Sequence, residues 1–245
     1  MTLDEVKQAV DDFRTCAERA KAAGFDGVDI LASVGFLIDE FLQSSLNKRT
    51  DEYGGSFENR FRFLREVIEV LTTVFPADRI GLRLAPNTNF GGSGSDDNYE
   101  MFSYVFAETG KMGLCYLATP DHIGLGKENH HKCRTFTQFE IKTLFKRPVM
   151  TMWRYNRELA EGAVHSGAVD LVGFGQLFMT NPDLVERFKN DWPLAGPLAY
   201  EFFYDADKGA EGYTEFLPYD PKSEGRVDEK QKEQSKSGGR VASAS

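Results

Sequence analysis

Long hydrophobic runs are missing from this chain. No stretch of the 245 residues approaches the roughly 20 apolar residues of a membrane-spanning helix, so no transmembrane segment is expected. A basic excess is missing too, since 38 acidic residues face 29 basic ones for a formal charge of −9. A nucleic-acid binder needs a basic face, so no nucleic-acid partner is expected. Cysteine is scarce: Cys16, Cys115 and Cys133 form an odd set without C-x-x-C spacing. That suits reduced thiols better than a disulfide framework. It points to an intracellular protein, cytoplasmic by default, with a mitochondrial location left open. The early acids Asp4, Glu5, Asp11 and Asp12 are wrong for a transit peptide. A metal-ligand pattern is also lacking. His122, His130, His131 and Cys133 crowd one stretch, but without the spacing of a closed four-ligand set, so no metal site is expected. Asp121 and His122 follow a strand end, with no nucleophile placed beside them.

The patterning that is present alternates helix and strand. Thr2 and Glu5 make a T-x-x-E capping box. Leu3, Val6, Val10, Phe13, Ala17 and Ala20 follow at helical spacing, and Gly24 stops the helix. The spacing predicts a strand at Gly27–Leu31, then an apolar helix face from Leu37. Ser56 is placed to cap a helix whose stripe is Phe57, Phe61, Leu64, Ile68, Leu71 and Phe75. Further strands are expected at Arg79–Leu84, Leu114–Ala118, Pro148–Met152 and Val169–Gly173. Helices are expected at residues 98–110, Thr137–Phe145 and Arg157–Ser166. Asn181 then reads as a helix cap with Pro182 in the first helical position. Short apolar strands between amphipathic helices imply a parallel sheet covered by helices. Five strands are recognised where a (β/α)₈ barrel needs eight and an open sheet could stop at five, so periodicity alone leaves both architectures open. Residues 1–220 read as one domain. From Pro221 to Ser245 the chain is Lys, Glu, Ser, Gln and Gly with few apolar residues, so a disordered or partner-bound tail is expected.

Five stretches carry a resemblance: GFDGVDI at 24–30, NKRTDEYGGSFENR at 47–60, RIGLRLAP at 79–86, DLVGFGQLFMTNPDLVERF at 170–188 and EGYTEFLPY at 211–219. In order and spacing they resemble the old yellow enzymes, FMN-dependent ene reductases on a (β/α)₈ barrel. The resemblance implies an α/β fold of TIM-barrel type that is partial, with the five strands matching strands four to eight. It also implies that the loop after the first strand is catalytic. Family members there carry two polar residues that polarise an enone carbonyl, and a tyrosine that delivers a proton. This chain has Leu31, Val34 and Phe36 at those positions. Leucine and valine have no hydrogen to donate to a carbonyl, and phenylalanine has no proton to give. Each lost term is commonly worth ~10²-fold in rate.

On the flavin side the resemblance makes Arg83 a ring contact, where a cation stabilises reduced flavin. Gly173 and Gly175 fall at the phosphate end, where barrels of this kind bind phosphate near a helix N-terminus. Gln176 stands where the family has arginine. The loop before it, usually glycine-rich, reads Met152-Trp153-Arg154, with Arg154 the one candidate to replace the missing charge. Tyr213 matches a substrate-pocket tyrosine. The charges of NKRTDEYGG are expected to fix a loop by local ion pairs.

The resulting expectation is a flavoenzyme-derived pseudoenzyme, with FMN bound weakly or lost, acting as a structural or accessory subunit. The alternative is an active FMN oxidoreductase using NAD(P)H, with a second chain supplying the first half of the barrel. Two open sheet edges are pairing templates, so a protein partner or oligomer is expected. Val28, Ile30, Leu84 and Val172 are expected to point into the barrel centre. The capping box at Thr2 is expected to mark a settled N-terminus.

Overall fold

The computed structural model describes residues 1–121, 134–196, 198–199, 201–204 and 206–223. The His/Cys stretch from His122 to Cys133 and the polar tail from residue 224 onward lie outside the described residues. The chain divides into two compact units, Met1–Gly173 and Phe174–Ser245.

The first unit begins with α1 (Leu3–Ala22), closed at its N-terminus by the reciprocal Thr2–Glu5 box. It continues through β1 (Val28–Leu31), α2 (Leu37–Leu42) and α3 (Phe57–Thr72), the last capped by the Ser56 hydroxyl. Then come β2 (Ile80–Arg83), α4 (Asn98–Lys111) and β3 (Tyr116–Pro120). The unit ends with α5 (Gln138–Phe145), β4 (Val149–Met152), α6 (Arg157–His165) and β5 (Leu171–Gly173). The strands form one parallel sheet in the order β1-β2-β3-β4-β5. Consecutive strands are neighbours, as in a barrel wall, and helices connect them as parallel crossovers require. This is a (β/α)-barrel-type sheet of five strands. Among the described residues β1 and β5 are its edges.

Register overturns the expectation about which side chains face inward. Ile30, Leu82, Leu84, Leu117 and Val149 are buried in the core with helix residues Val6, Phe63, Val67, Phe102 and Ile141, and Val28 and Val172 pack against that core. Val28, Ile30, Leu84 and Val172 therefore face the helix layer, not the barrel centre. Strand side chains alternate, so the opposite set lines the inner face: Asp29, Leu31, Gly81, Arg83, Tyr116, Ala118, Met150, Met152, Leu171 and Gly173. The periodicity was right and the phase was not. Both faces of a barrel strand can be apolar, so hydrophobicity alone does not say which is inside. β3 also starts two residues later than its sequence pattern suggests.

The second unit holds α7 (Gln176–Thr180), α8 (Leu184–Asn190) and α9 (Glu201–Tyr204). Asn181 does not cap α8, whose N-cap is Asp183. The Asn181 side chain instead donates to the carbonyls of Leu177 and Ala195 and accepts from the Ala195 amide. An amide side chain that stitches three backbone groups leaves none for capping. Asp183 ties down the rest of the unit, pairing with Arg187 at 2.7 Å and accepting the Tyr219 amide at 2.8 Å.

Candidate functional site

Barrel enzymes place chemistry at the C-terminal ends of the strands. At the end of β1 the chain passes through Ala32 and Ser33 into a tight turn at Val34 and Gly35, with φ of 51° and 80°. Gly35 is pressed against Gly91, where a Cβ would approach the neighbouring Cα to 3.0 Å. Its amide donates to Asp39 Oδ2 at 2.9 Å, and the Ser93 hydroxyl donates to the same oxygen at 2.6 Å. Gln43 donates to the other oxygen of Asp39 and accepts from the Gly94 amide and the Ser95 hydroxyl. Burial pushes the Asp39 carboxyl up, against those three donors, which act to lower it. This buried network fixes the loop after β1 to the loop after β2. The turn is thus held rigidly, but its side chains are inert. Leu31 and Phe36 are 44% and 54% exposed and offer no donor. Val34 is a β-branched residue in left-handed backbone, a position that asparagine or glycine fills with less strain.

The NKRTDEYGGSFENR stretch is a scaffold below this loop. Arg49 binds Asp51 through both Nε and Nη2. Asn47 donates to the carbonyls of Phe41 and Tyr53. Buried Arg60 pairs with Asp97 at 2.5 Å and donates to the Leu42 carbonyl. Local ion pairs were the sequence expectation, and the geometry agrees.

On the inner face, Arg83 stands between Leu31 and Ala118. Its Nε lies 3.7 Å from Asp29 Oδ1. That is too long for a hydrogen bond, and among the described residues this buried donor has no acceptor. An orphaned guanidinium donor needs a partner. Asp29 also accepts from Tyr116 Oη at 2.7 Å. Burial and this bond push the Tyr116 phenol up to about 12. Sequence reading passed over both residues. The signal for Asp29 was an acid inside the apolar strand VDIL. Nothing in the sequence marked Tyr116.

After β4 the chain runs through Trp153 and Arg154 with φ of 93° and 55°. Both are exposed, and the Arg154 guanidinium lies 6.0 Å from the Trp153 ring centre. The backbone keeps the positive-φ course that glycine favours, although neither residue is glycine. Next to it Tyr155 Oη donates to Asp121 Oδ2 at 2.5 Å, and burial together with that bond pushes Tyr155 up to about 12. Gly173 closes β5 on the inner face, with Met150 and Met152 side-chain atoms 3.6 Å from where a Cβ would stand.

In the second unit Gly175 is the N-cap of α7 and makes no side-chain cap bond, and Gln176 is the exposed first helical residue. A five-residue helix contributes little dipole to anion binding. Tyr213 is 56% exposed and donates to the Phe203 carbonyl at 3.1 Å.

As a test for FMN, these observations divide. The orphaned Arg83 Nε fits a flavin ring edge, which carries acceptors. In the first unit Arg154 is an exposed cation in the loop after β4, and in the second unit Gln176 is neutral.

Comparison with known proteins agrees with this architecture. The sequence profile of the NADH:flavin oxidoreductase / NADH oxidase family matches residues 1–195. A rice (Oryza sativa subsp. japonica) protein that carries a 12-oxophytodienoate reductase name is 39% identical over 223 residues, covering 89% of this chain and 59% of its own length. The structure of morphinone reductase superposes with a TM-score of 0.82 at 33% identity, over 93% of this chain and 59% of that one. An old yellow enzyme homologue from Zymomonas mobilis gives 0.81 at 34% identity, over 89% and 61%. The chain thus spans less than two thirds of the relatives it matches. On profile, identity and fold together, this chain belongs to the NADH:flavin oxidoreductase / NADH oxidase family.

Proposed function

We propose that this chain is an old-yellow-enzyme-like protein that has lost ene-reductase catalysis and serves as a structural or accessory subunit. The observation that carries the reading is the loop after β1. It keeps a rigid, hydrogen-bonded turn while presenting only Leu31, Val34 and Phe36 at the strand end. A site that must polarise a carbonyl and protonate a carbon needs donors there, and these three residues supply none. Among the described residues β1 and β5 are the sheet edges, and exposed Leu31 and Leu171 beside them on the inner face support a protein partner. Cys16 and Cys115, both free thiols, suit a reducing intracellular compartment.

FMN belongs to the same reading as a weak ligand. Within the first unit Arg83 would hold the ring edge, and Arg154 with Gly173 would meet the phosphate. For the second unit the family resemblance alone gives Gly175 and Gln176 a phosphate role and Tyr213 a substrate-pocket role. When bound, FMN supplies hydride chemistry fed by NAD(P)H. The orphaned donor on Arg83 favours a second reading, an active FMN oxidoreductase completed by another chain.

An enone-reduction assay separates the two. With cyclohexenone, NAD(P)H and added FMN, this chain is expected to show no measurable turnover. Turnover within tenfold of an ordinary family member would overturn the pseudoenzyme reading. Light scattering on the isolated chain tests the subunit role, which a cooperatively folded monomer at micromolar concentration would contradict.

A further inference from the structure

Three residues in register cross the inner face one step below Arg83. Asp29 on β1 pairs with Gly81 on β2, and Gly81 pairs with Tyr116 on β3. The Tyr116 ring lies over Gly81, so close that a Cβ there would fall 2.5 Å from Cζ and 2.7 Å from Oη. Strands lie about 4.8 Å apart, so the phenol reaches across β2 and the Asp29 side chain meets it from β1, the two together bridging two strand intervals. It then donates at 2.7 Å to Oδ2, and the other carboxylate oxygen, Oδ1, points at Arg83 Nε from 3.7 Å. The hydroxyl fixes one oxygen, and that fixes the direction of the other.

This arrangement has a consequence for charge. Arg83 is the cation that the inner face offers to a ligand at this level of the sheet, and a carboxylate within ion-pair distance offsets part of it. The geometry falls short of a hydrogen bond, so the donor itself stays unfilled while its field is weakened. A bond between Tyr116 and Asp29 that served only to tie strands together would leave Arg83 unaffected. The two roles therefore differ in what they predict for the guanidinium.

We propose that Asp29, strapped by Tyr116 across Gly81, is a positioning residue that masks Arg83 and sets how much of its charge reaches an anionic or acceptor-bearing ligand on the inner face. The choice of FMN as that ligand rests on the reading given under Proposed function, whereas the masking itself does not.

The test uses the full chain and Asp29→Asn, which keeps the size of the side chain and an oxygen for the Tyr116 hydroxyl. The readout is the rate at which phenylglyoxal, an arginine-selective reagent, modifies Arg83, followed by peptide mass spectrometry with Arg14 on α1 as the internal reference. Removing the carboxylate is expected to raise the Arg83 rate by about threefold or more, because the ion-pair partner that holds and shields the guanidinium is gone. The Arg14 rate stays unchanged. The ultraviolet titration of Tyr116 should fall from about 12 toward the ordinary tyrosine value, which establishes that the strap exists in solution. Equal Arg83 rates in the two proteins would overturn the proposal. A parallel FMN titration addresses the ligand. Tighter FMN binding by Asp29→Asn supports masking of a flavin contact. A faster Arg83 reaction with no FMN binding in either protein keeps the masking and removes the flavin reading.

Discussion

Gly81 gives the sharpest test of the inner face. In a strand, glycine is a poor choice, and replacing it with alanine where the backbone allows gains about 0.4–1 kcal/mol through the unfolded chain. Gly81 has ordinary strand backbone, since it is absent from the positive-φ residues. The obstacle is the Tyr116 ring, with Cζ, Oη and Cε2 at 2.5, 2.7 and 2.8 Å from the new Cβ. The ring cannot swing away without breaking its bond to Asp29, worth about 0.5–1.5 kcal/mol, and overpacking of this kind costs about 1–3 kcal/mol. Gly81→Ala should therefore destabilise by roughly 1–3 kcal/mol in the native background. In a Tyr116→Ala background the same change should be neutral or stabilising by up to about 1 kcal/mol. The difference is a coupling of at least about 1 kcal/mol, well within reach of a double-mutant cycle. Urea denaturation of the four proteins measures it, given a transition that is two-state in each. If Gly81→Ala costs nothing, or costs the same with and without Tyr116, then the phenol does not lie across β2 and the strap argument fails.

Two further outcomes follow from local geometry. Val34→Asn replaces a β-branched residue at φ 51° with one that tolerates left-handed backbone. It should stabilise by about 1 kcal/mol, or raise Tm by roughly 2–4 °C in a chain of this size. A lowered Tm would mean the turn is not the strained element it looks to be. The second concerns acid. Burial acts to raise the Asp170 carboxyl, but Lys142 and the Val149 amide more than offset this and hold it below its usual value. A depressed folded-state pKa adds stability that is present above the unfolded value near 4 and lost as pH falls through the folded one. Asp170→Asn should therefore flatten the loss of stability below about pH 4, and an unchanged acid profile would show that the pair contributes nothing.

Much of this protein was determined locally and could be read from sequence. The capping box at Thr2, the Ser56 cap and the 3.6-residue stripe of α3 each act within a few residues, so spacing alone located those helices. The inert chemistry of Leu31, Val34 and Phe36 was equally plain, because a side chain without a donor lacks one in any fold. Tertiary structure decided what depends on partners far along the chain. The phase of the sheet is one case. Val28, Ile30 and Val172 are apolar in either direction, and only the seating of α1, α3 and α5 turned them toward the helices. Asn181 is another: its local pattern says cap, but the Ala195 backbone competes for the same amide and holds it. The row of Asp29, Gly81 and Tyr116 is the clearest. These residues lie 52 and 35 positions apart in the chain, and only parallel register brings an acid, a gap and a phenol into one line beneath Arg83.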